Sequence, residues 1–400
     1  MISPSWQPRR LDDLGFVGRG KSRHRPRNDP RLYGGEYPFI QTADIVAADP
    51  YVTSYSQTYT EFGLAQSKLW PANTLCITIA GANTAETAIL KFEACFPDSI
   101  IGFIPDENRA DLHFVKHSLD LMKDQFRAVT RGATQDNLSL EKLLSFPIPT
   151  PSLAIQRHIG GMLAAHDDLI ENSQRRIRVL EMMARSFYSA SLDSNRFDVR
   201  NEYFVSVPYW RFLSENVSPF NGKKRYFATA DIEGLAICGD GINYTYAEKP
   251  SRAQKQPTAF SVWFARMKDT FKVAWYSDVN EDVADASILS SGFAGFEAVE
   301  SIYFPFLFLT VSSREFHAWK DPLCTGATQK SLTNEGLSRI QVPVPPKEVI
   351  RQLGTSVLPI LNQILILQRR SHVLRQARKL LILRFLTGGS YSNEVLTAAA

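Results

Sequence analysis

The chain has 400 residues, 44% of them hydrophobic and 22% charged, with a formal net charge of only +4. That is an ordinary globular balance with length for two or three domains, so any basic surface must be local. Its four cysteines, Cys76, Cys95, Cys238 and Cys324, form no C-x-x-C pair and are too few for a disulfide scaffold, which predicts a reduced, cytoplasmic setting.

The opening MISPSWQPRRLDD has no apolar core and so no signal-peptide character. The next stretch, GFVGRGKSRHRPRND from Gly15, fits the phosphate-loop pattern G-x-x-x-x-G-K-[ST] through Gly15, Gly20, Lys21 and Ser22. That loop needs a buried strand before it and a helix after it, whose amides hold the phosphates. Here QPRRLDDL precedes it, and Pro26 and Pro30 exclude a helix behind it. The match is accidental. What remains is a basic loop held by turns, with Arg19, Lys21, Arg23, Arg25, Arg27 and Arg31 around His24. Such a loop is either simply solvated or contacts the phosphates of a polyanion.

A TADI segment follows at Thr42, then strand-like apolar runs at Thr74 to Ala80 and Ser99 to Pro105. A helix is predicted near Leu112 to Phe126. His113 and His117 are four apart on it, but no third ligand accompanies them in sequence, so they read as surface or partly packed groups rather than a metal site. A GATQ turn at Gly132 and a proline-marked PIPTPS lead into a long helix. Its apolar positions include Ile155, Ile159, Met162, Leu169, Ile177, Leu180, Ala184 and Phe187, in steps of three and four. Ser191 to Glu202 reads as a polar linker.

The chain then repeats itself. GATQDNLSLEKLLSFPIPTP at Gly132 lies over GATQKSLTNEGLSRIQVPVP at Gly326 with an offset of 194, and QRRIRVL at Gln174 lies over QRRSHVL at Gln368 with the same offset. TADI recurs at Thr229, offset by 187. Just before it stand Lys223, Lys224 and Arg225, and a second basic loop after it carries Lys249, Arg252 and Lys255. Strand-like runs occur at Phe260 to Ala265 and Phe271 to Tyr276, and a helix is predicted over Phe306 to Trp319. The most apolar run, Ser301 to Val311, is shorter than the roughly 20 residues a bilayer needs and reads as a buried segment. A second long helix carries Leu353, Ile360, Ile364, Leu367, Leu374, Leu381 and Phe385, and GGSYSNEVLTAAA ends it. At 1.5 Å per residue, each long helix is on the order of 50 Å, longer than a small domain needs, and their occurrence as a matched pair favours a paired coiled coil over a helix packed on its own domain.

A search for chemistry finds none. There is no Asn/Asp-Pro-Pro-aromatic motif of an adenine methyltransferase, no carboxylate cluster with a lysine as in a metal-dependent nuclease, and no H-E-x-x-H; GDGINY at Gly239 is a glycine-rich turn.

Two mixed domains, each opening on a stretch such as GGEYPFIQTADI or KRYFATADI, each closing on G-A-T-Q and a proline-marked long helix, closely resemble the specificity subunit of type I restriction–modification systems. The resemblance covers essentially the whole chain. It implies an α+β tandem pseudo-repeat of two mixed α/β target recognition domains (1–152 and 194–346), alternating with two spacer helices (153–193 and 347–388) packed as an antiparallel coiled coil, with a tail over 389–400. Each domain would read one half of a split double-stranded DNA target, near the basic residues named above. Ile159, Met162, Leu169, Leu180, Phe187, Leu353, Ile360, Ile364, Leu374 and Leu381 would lie in the helical interface. Two methyltransferase subunits and restriction/translocase subunits would bring S-adenosylmethionine, ATP and magnesium. The chain itself would be non-catalytic, hold no metal or cofactor, and contact no membrane. The alternative is the recognition part of a fused or split type II-like restriction–modification enzyme.

Overall fold

The computed structural model describes residues 6–130, 137–326 and 330–386, and it mixes helix and sheet throughout, an α+β architecture. Most of both GATQ turns (Gly132 to Gln135, and Ala327 to Gln329) and the tail from 387 lie outside the described residues. The chain forms two compact units, one of residues 1–172 with 371–400, the other of residues 173–370. Each long helix is divided between them. Leu153–Ser191 starts in the first unit and ends in the second, and Lys347–Leu386 does the reverse.

In the first unit, a five-stranded sheet runs in the order Gly15–Arg19, Ile100–Pro105, Leu75–Thr78, Thr87–Leu90, Tyr51–Val52. The runs expected at Thr74 to Ala80 and Ser99 to Pro105 are strands with trimmed ends. Leu75–Thr78 is buried along its whole length, which is why it reads as a short continuous apolar run; Thr87–Leu90, equally buried, is not marked as a strand by the sequence. A smaller sheet orders Gln57–Tyr59, Tyr33–Phe39, Ala94–Cys95 and Leu69–Trp70. The helix expected over 112–126 is two helices, Leu112–Leu121 and Lys123–Thr130, meeting at Met122. Phe114, Val115 and Leu119 pack on Ile77, Ile101 and Phe103 of the sheet and on Ile159 and Leu163 of the first long helix, while Leu381, Ile382 and Phe385 of the second long helix close the same core.

In the second unit, Trp210–Phe212, Phe293–Ala298, Ser261–Ala265 and Val273–Tyr276 form the main sheet, the same antiparallel order as the first four strands of its counterpart. The smaller sheet orders Ile242–Tyr244, Lys224–Phe227, Ser287–Ser290 and Ala253–Lys255. The expected linker ends in a strand, because Arg200–Tyr203 pairs with Gln341–Val344 just as Gln7–Arg9 pairs with Ile148–Thr150. The expected helix over 306–319 is again two, Phe304–Val311 and Arg314–Lys320. The break is capped by Ser313, whose Oγ accepts from Phe316 N at 3.1 Å. Phe304–Val311 is buried throughout, as its composition predicts.

The second long helix contains an 18-residue window with mean hydropathy 1.3, enough by length and composition to cross a bilayer. Its apolar residues have a different destination, since Ile350, Leu353, Val357, Leu361 and Ile364 are buried in the core of the second unit. Of the expected helical interface residues, Ile159, Leu353 and Ile364 are buried, Met162, Leu180, Ile360, Leu374 and Leu381 are half-buried, and Leu169 and Phe187 are exposed. The buried stripe of the first long helix runs instead through Gln156, Ile159, Leu163, Asp167, Ile170 and Ser173. Polar members of that stripe moved its true line off the apolar count.

Candidate nucleic-acid interface

Gly15–Arg19 is not a turn but a strand, in register with the strand ending at Pro105: Gly15 faces Pro105 and Arg19 faces Ile101. A side chain at Gly20 would place Cβ 2.3 Å from the Pro97 carbonyl oxygen, so glycine is required for close approach, not for a phosphate. The amides that a nucleotide loop would aim at phosphate are spent: Gly20 N donates to Ile100 O at 2.8 Å and Lys21 N to Phe96 O at 3.0 Å. The nucleotide reading fails on geometry as well as on sequence.

Beyond the strand, the loop is tied down through its main chain. Arg23 N and His24 N both donate to Gln66 Oε1, at 2.6 and 2.9 Å, and Ser67 Oγ donates to Lys21 O at 2.7 Å. Its cations then divide into three groups. Arg27 pairs with Asp98 at 3.0 Å, and Arg31 pairs with Asp29 at 2.7 Å. Hydrogen bonds from Arg31 hold the Asp29 carboxyl well below the usual carboxylate range, so that pair stays ionised. Arg19 Nε donates to Asp98 O, and Arg25 NH1 donates to the carbonyls of Ser22 and His24; each guanidinium keeps donors to spare. The side chains of Lys21 and Arg23 have no hydrogen-bond or ionic partner among the described residues. Phe62 stands exposed among these groups, 5.1 Å from the Arg31 guanidinium and edge-on to His24 at 5.3 Å. Nothing in the sequence around Phe62 and Gln66 marks them as neighbours of the basic loop. They arrive there on the short helix Glu61–Ala65, capped by Thr60.

In the second unit the smaller sheet collects both basic segments. Lys224 and Arg225 lie within one of its strands, not in a loop, and Ala253–Lys255 is another. Three of the six cations serve the fold. Lys224 Nζ donates to Gln256 Oε1 at 2.7 Å, Lys249 Nζ to Ala253 O at 2.9 Å, and Lys255 Nζ to Ser214 O at 2.8 Å. Burial lowers the pKa of Lys255. Lys223, Arg225 and Arg252 are exposed, and their side chains form no hydrogen bond or salt bridge among the described residues, though Lys223 stands near enough to Glu248 to act on its charge. The GDGINY turn brings Gly241, at φ +61°, against the Arg225 side chain, a conformation glycine adopts freely. Each unit thus presents exposed or half-buried cations without a hydrogen bond or ion pair among the described residues beside a small sheet, next to others held by carboxylates in the first unit and by neutral oxygen acceptors in the second.

Known proteins share features with this chain. The family model described as the type I restriction modification DNA specificity domain matches residues 4–182. The chain is similar to the type I restriction–modification specificity subunits. It is similar to the type I restriction enzyme MjaIX specificity subunit of Methanocaldococcus jannaschii, 23% identical over 426 aligned residues that cover 97% of this chain and 94% of that one. Its fold is also that of the type I restriction–modification S subunit from M. genitalium, with a TM-score of 0.60 at 15% identity over 96% of each chain.

Proposed function

We propose that this specificity subunit reads a bipartite DNA target, one half by the small sheet and basic segments of each unit. The two long helices run antiparallel as a spacer that fixes the distance between half-sites. The observation that carries this reading is the shared order of four main-sheet strands and four small-sheet strands in the two units, each with cations outside any ion pair among the described residues before and around the TADI segment. Lys and Arg on phosphates supply affinity and register, while the residues that discriminate bases lie on the adjacent variable loops.

The helices also dock two methyltransferase subunits. Val179, Met182, Met183 and Phe187 are exposed on the first long helix, and Val373 and Leu380, seven residues apart, are exposed on the second. Apolar groups repeated on one helical face suit a protein partner. S-adenosylmethionine, ATP and magnesium would be held by the modification and restriction subunits, and the assembly would work in the cytoplasm.

The test is a chimaera. Residues 194–346 are replaced by the corresponding domain of another type I specificity subunit, and the methylated sequence of the reconstituted complex is mapped. One block of the split motif changes and the other stays. A change in both blocks, or in neither, overturns the reading.

A further inference from the structure

Away from the basic segments, three chemically matched groups converge inside the first unit. The helix Leu112–Leu121 presents His113 and His117 one turn apart, and the first long helix brings Asp167 between them. His117 Nε2 lies 2.9 Å and His113 Nδ1 3.8 Å from the same atom, Asp167 Oδ2, and all three ligand atoms fall within 4.8 Å of one another. The expectation that no third ligand accompanies the histidine pair is therefore corrected. The third group comes from fifty residues away, on another helix.

We propose that His113, His117 and Asp167 form a binding site for a divalent transition metal of the zinc class, clamping the helix Leu112–Leu121 to the first long helix. Zinc takes imidazole nitrogen at about 2.0–2.1 Å and carboxylate oxygen at about 2.0–2.2 Å, so ligand atoms of one tetrahedral site stand roughly 3.4 Å apart. The two observed nitrogen–oxygen distances straddle that value. The buried Nδ1 of His113, the atom that faces Asp167 Oδ2, has no hydrogen-bond partner, which a fully satisfied polar core would not leave. The surroundings are those of a metal site. Asp120 Oδ2 stands 3.6 Å from His117 Nδ1, where a carboxylate orients a ligating imidazole, and Lys116 fixes that carboxylate at 2.5 Å. Arg378 NH1 donates to the other oxygen of Asp167 at 2.6 Å, leaving Oδ2 to face the histidines, and its NH2 donates to Asp49 at 3.0 Å. His117 and Asp167 are buried, while the His113 side chain is 21% exposed and gives an ion its way in. Two imidazoles with one carboxylate favour zinc, cobalt or nickel over magnesium or calcium, which prefer all-oxygen ligands.

The repeat supplies an internal comparison. At the offset of 194, His113, His117, Asp167 and Arg378 correspond to Leu307, Val311, Leu361 and Ala184, all buried together in the core of the second unit. The fold does not need polar groups here. A buried ionic cluster kept where the same architecture accepts aliphatic side chains calls for a use, because such clusters add little stability of their own.

The experiment measures metal in the full chain by mass spectrometry, after dialysis and after incubation with zinc, cobalt, nickel or magnesium. About one zinc per chain is expected, with cobalt giving the visible absorption of a tetrahedral nitrogen–oxygen site, and no uptake of magnesium. The fourfold variant His113→Leu, His117→Val, Asp167→Leu, Arg378→Ala installs the second unit's residues and should fold by circular dichroism while losing the zinc. Should that variant not fold, His113→Asn, at the partly exposed ligand, gives the same readout. Failure of the wild-type chain to take up zinc, or retention of zinc by a folded variant, overturns the proposal.

Discussion

Lys21 and Arg23 offer a direct measure of how the basic loop meets DNA. Their main-chain bonds to Phe96 and Gln66 survive substitution, and their side chains hold nothing within the described structure, so Lys21→Ala with Arg23→Ala should leave the fold intact. Each phosphate contact contributes about 0.9 to the slope of log affinity against log salt, so the double variant should bind duplex DNA with a slope shallower by about 1.8. Over a fourfold rise in salt, for instance from about 50 to 200 mM, the wild-type chain should lose roughly 12-fold more affinity than the variant. Arg27→Ala and Arg31→Ala make the contrast. Each cation is already paired, with Asp98 and Asp29, so its removal changes the slope by less than about 1. Fluorescence anisotropy of the full chain on a labelled duplex reads all four. An unchanged slope for Lys21→Ala/Arg23→Ala, beside a marked change for Arg27→Ala or Arg31→Ala, would refute the assignment of free and neutralised cations.

Other outcomes follow from the same geometry. A Cβ at Gly354 would sit 1.9 Å from the Ile302 carbonyl oxygen, so Gly354→Ala should destabilise by about 3 kcal/mol in urea unfolding. Its neighbour in kind, Gly161, meets nothing within 4 Å, and Gly161→Ala should stabilise by up to about 1 kcal/mol. His317 is buried, with Nε2 3.0 Å from Val311 O, and burial pushes its pKa down to about 4. Unfolded, it takes up a proton near its ordinary value, so its contribution is complete above about pH 6.5 and is lost as pH falls toward 4. Between pH 7 and pH 5 this costs about 2 kcal/mol, and a chain carrying His317→Leu should lose that part of the pH dependence in urea titrations. Met182→Glu with Met183→Glu, on exposed positions, should reduce co-purification of the methyltransferase subunits at least tenfold without changing the circular dichroism; unchanged co-purification would move the docking surface elsewhere.

The features legible in the sequence were those set by local pattern. The 194-residue offset pointed to a repeat, and the chain forms two compact units; continuous apolar runs gave Leu75–Thr78 and Ser261–Ala265 as strands. The long helices were legible too, since steps of three and four persist through 39 and 40 residues. What escaped was fixed by tertiary partners. Gly15–Arg19 carries glycines and an exposed Phe16, with no strand pattern of its own, and is a strand because Ile100–Pro105 pairs with it. Asp167 lies on the buried line of its helix, where an apolar count selected Leu169 two positions away; a charge is tolerated there only because His117 and Arg378 meet it. Lys224, Lys249 and Lys255 looked equivalent to Arg252 in sequence, and only their acceptors, Gln256, Ala253 and Ser214, separate structural lysines from free ones.

The central claim is that this chain dictates which DNA sequence its complex methylates. Mapping N6-methyladenine across the host genome, with and without the gene, tests it most directly. The account predicts one split motif, two short blocks separated by a gap of fixed length, that disappears when the gene is deleted. An unchanged methylation pattern, or the loss of an uninterrupted motif, would contradict it.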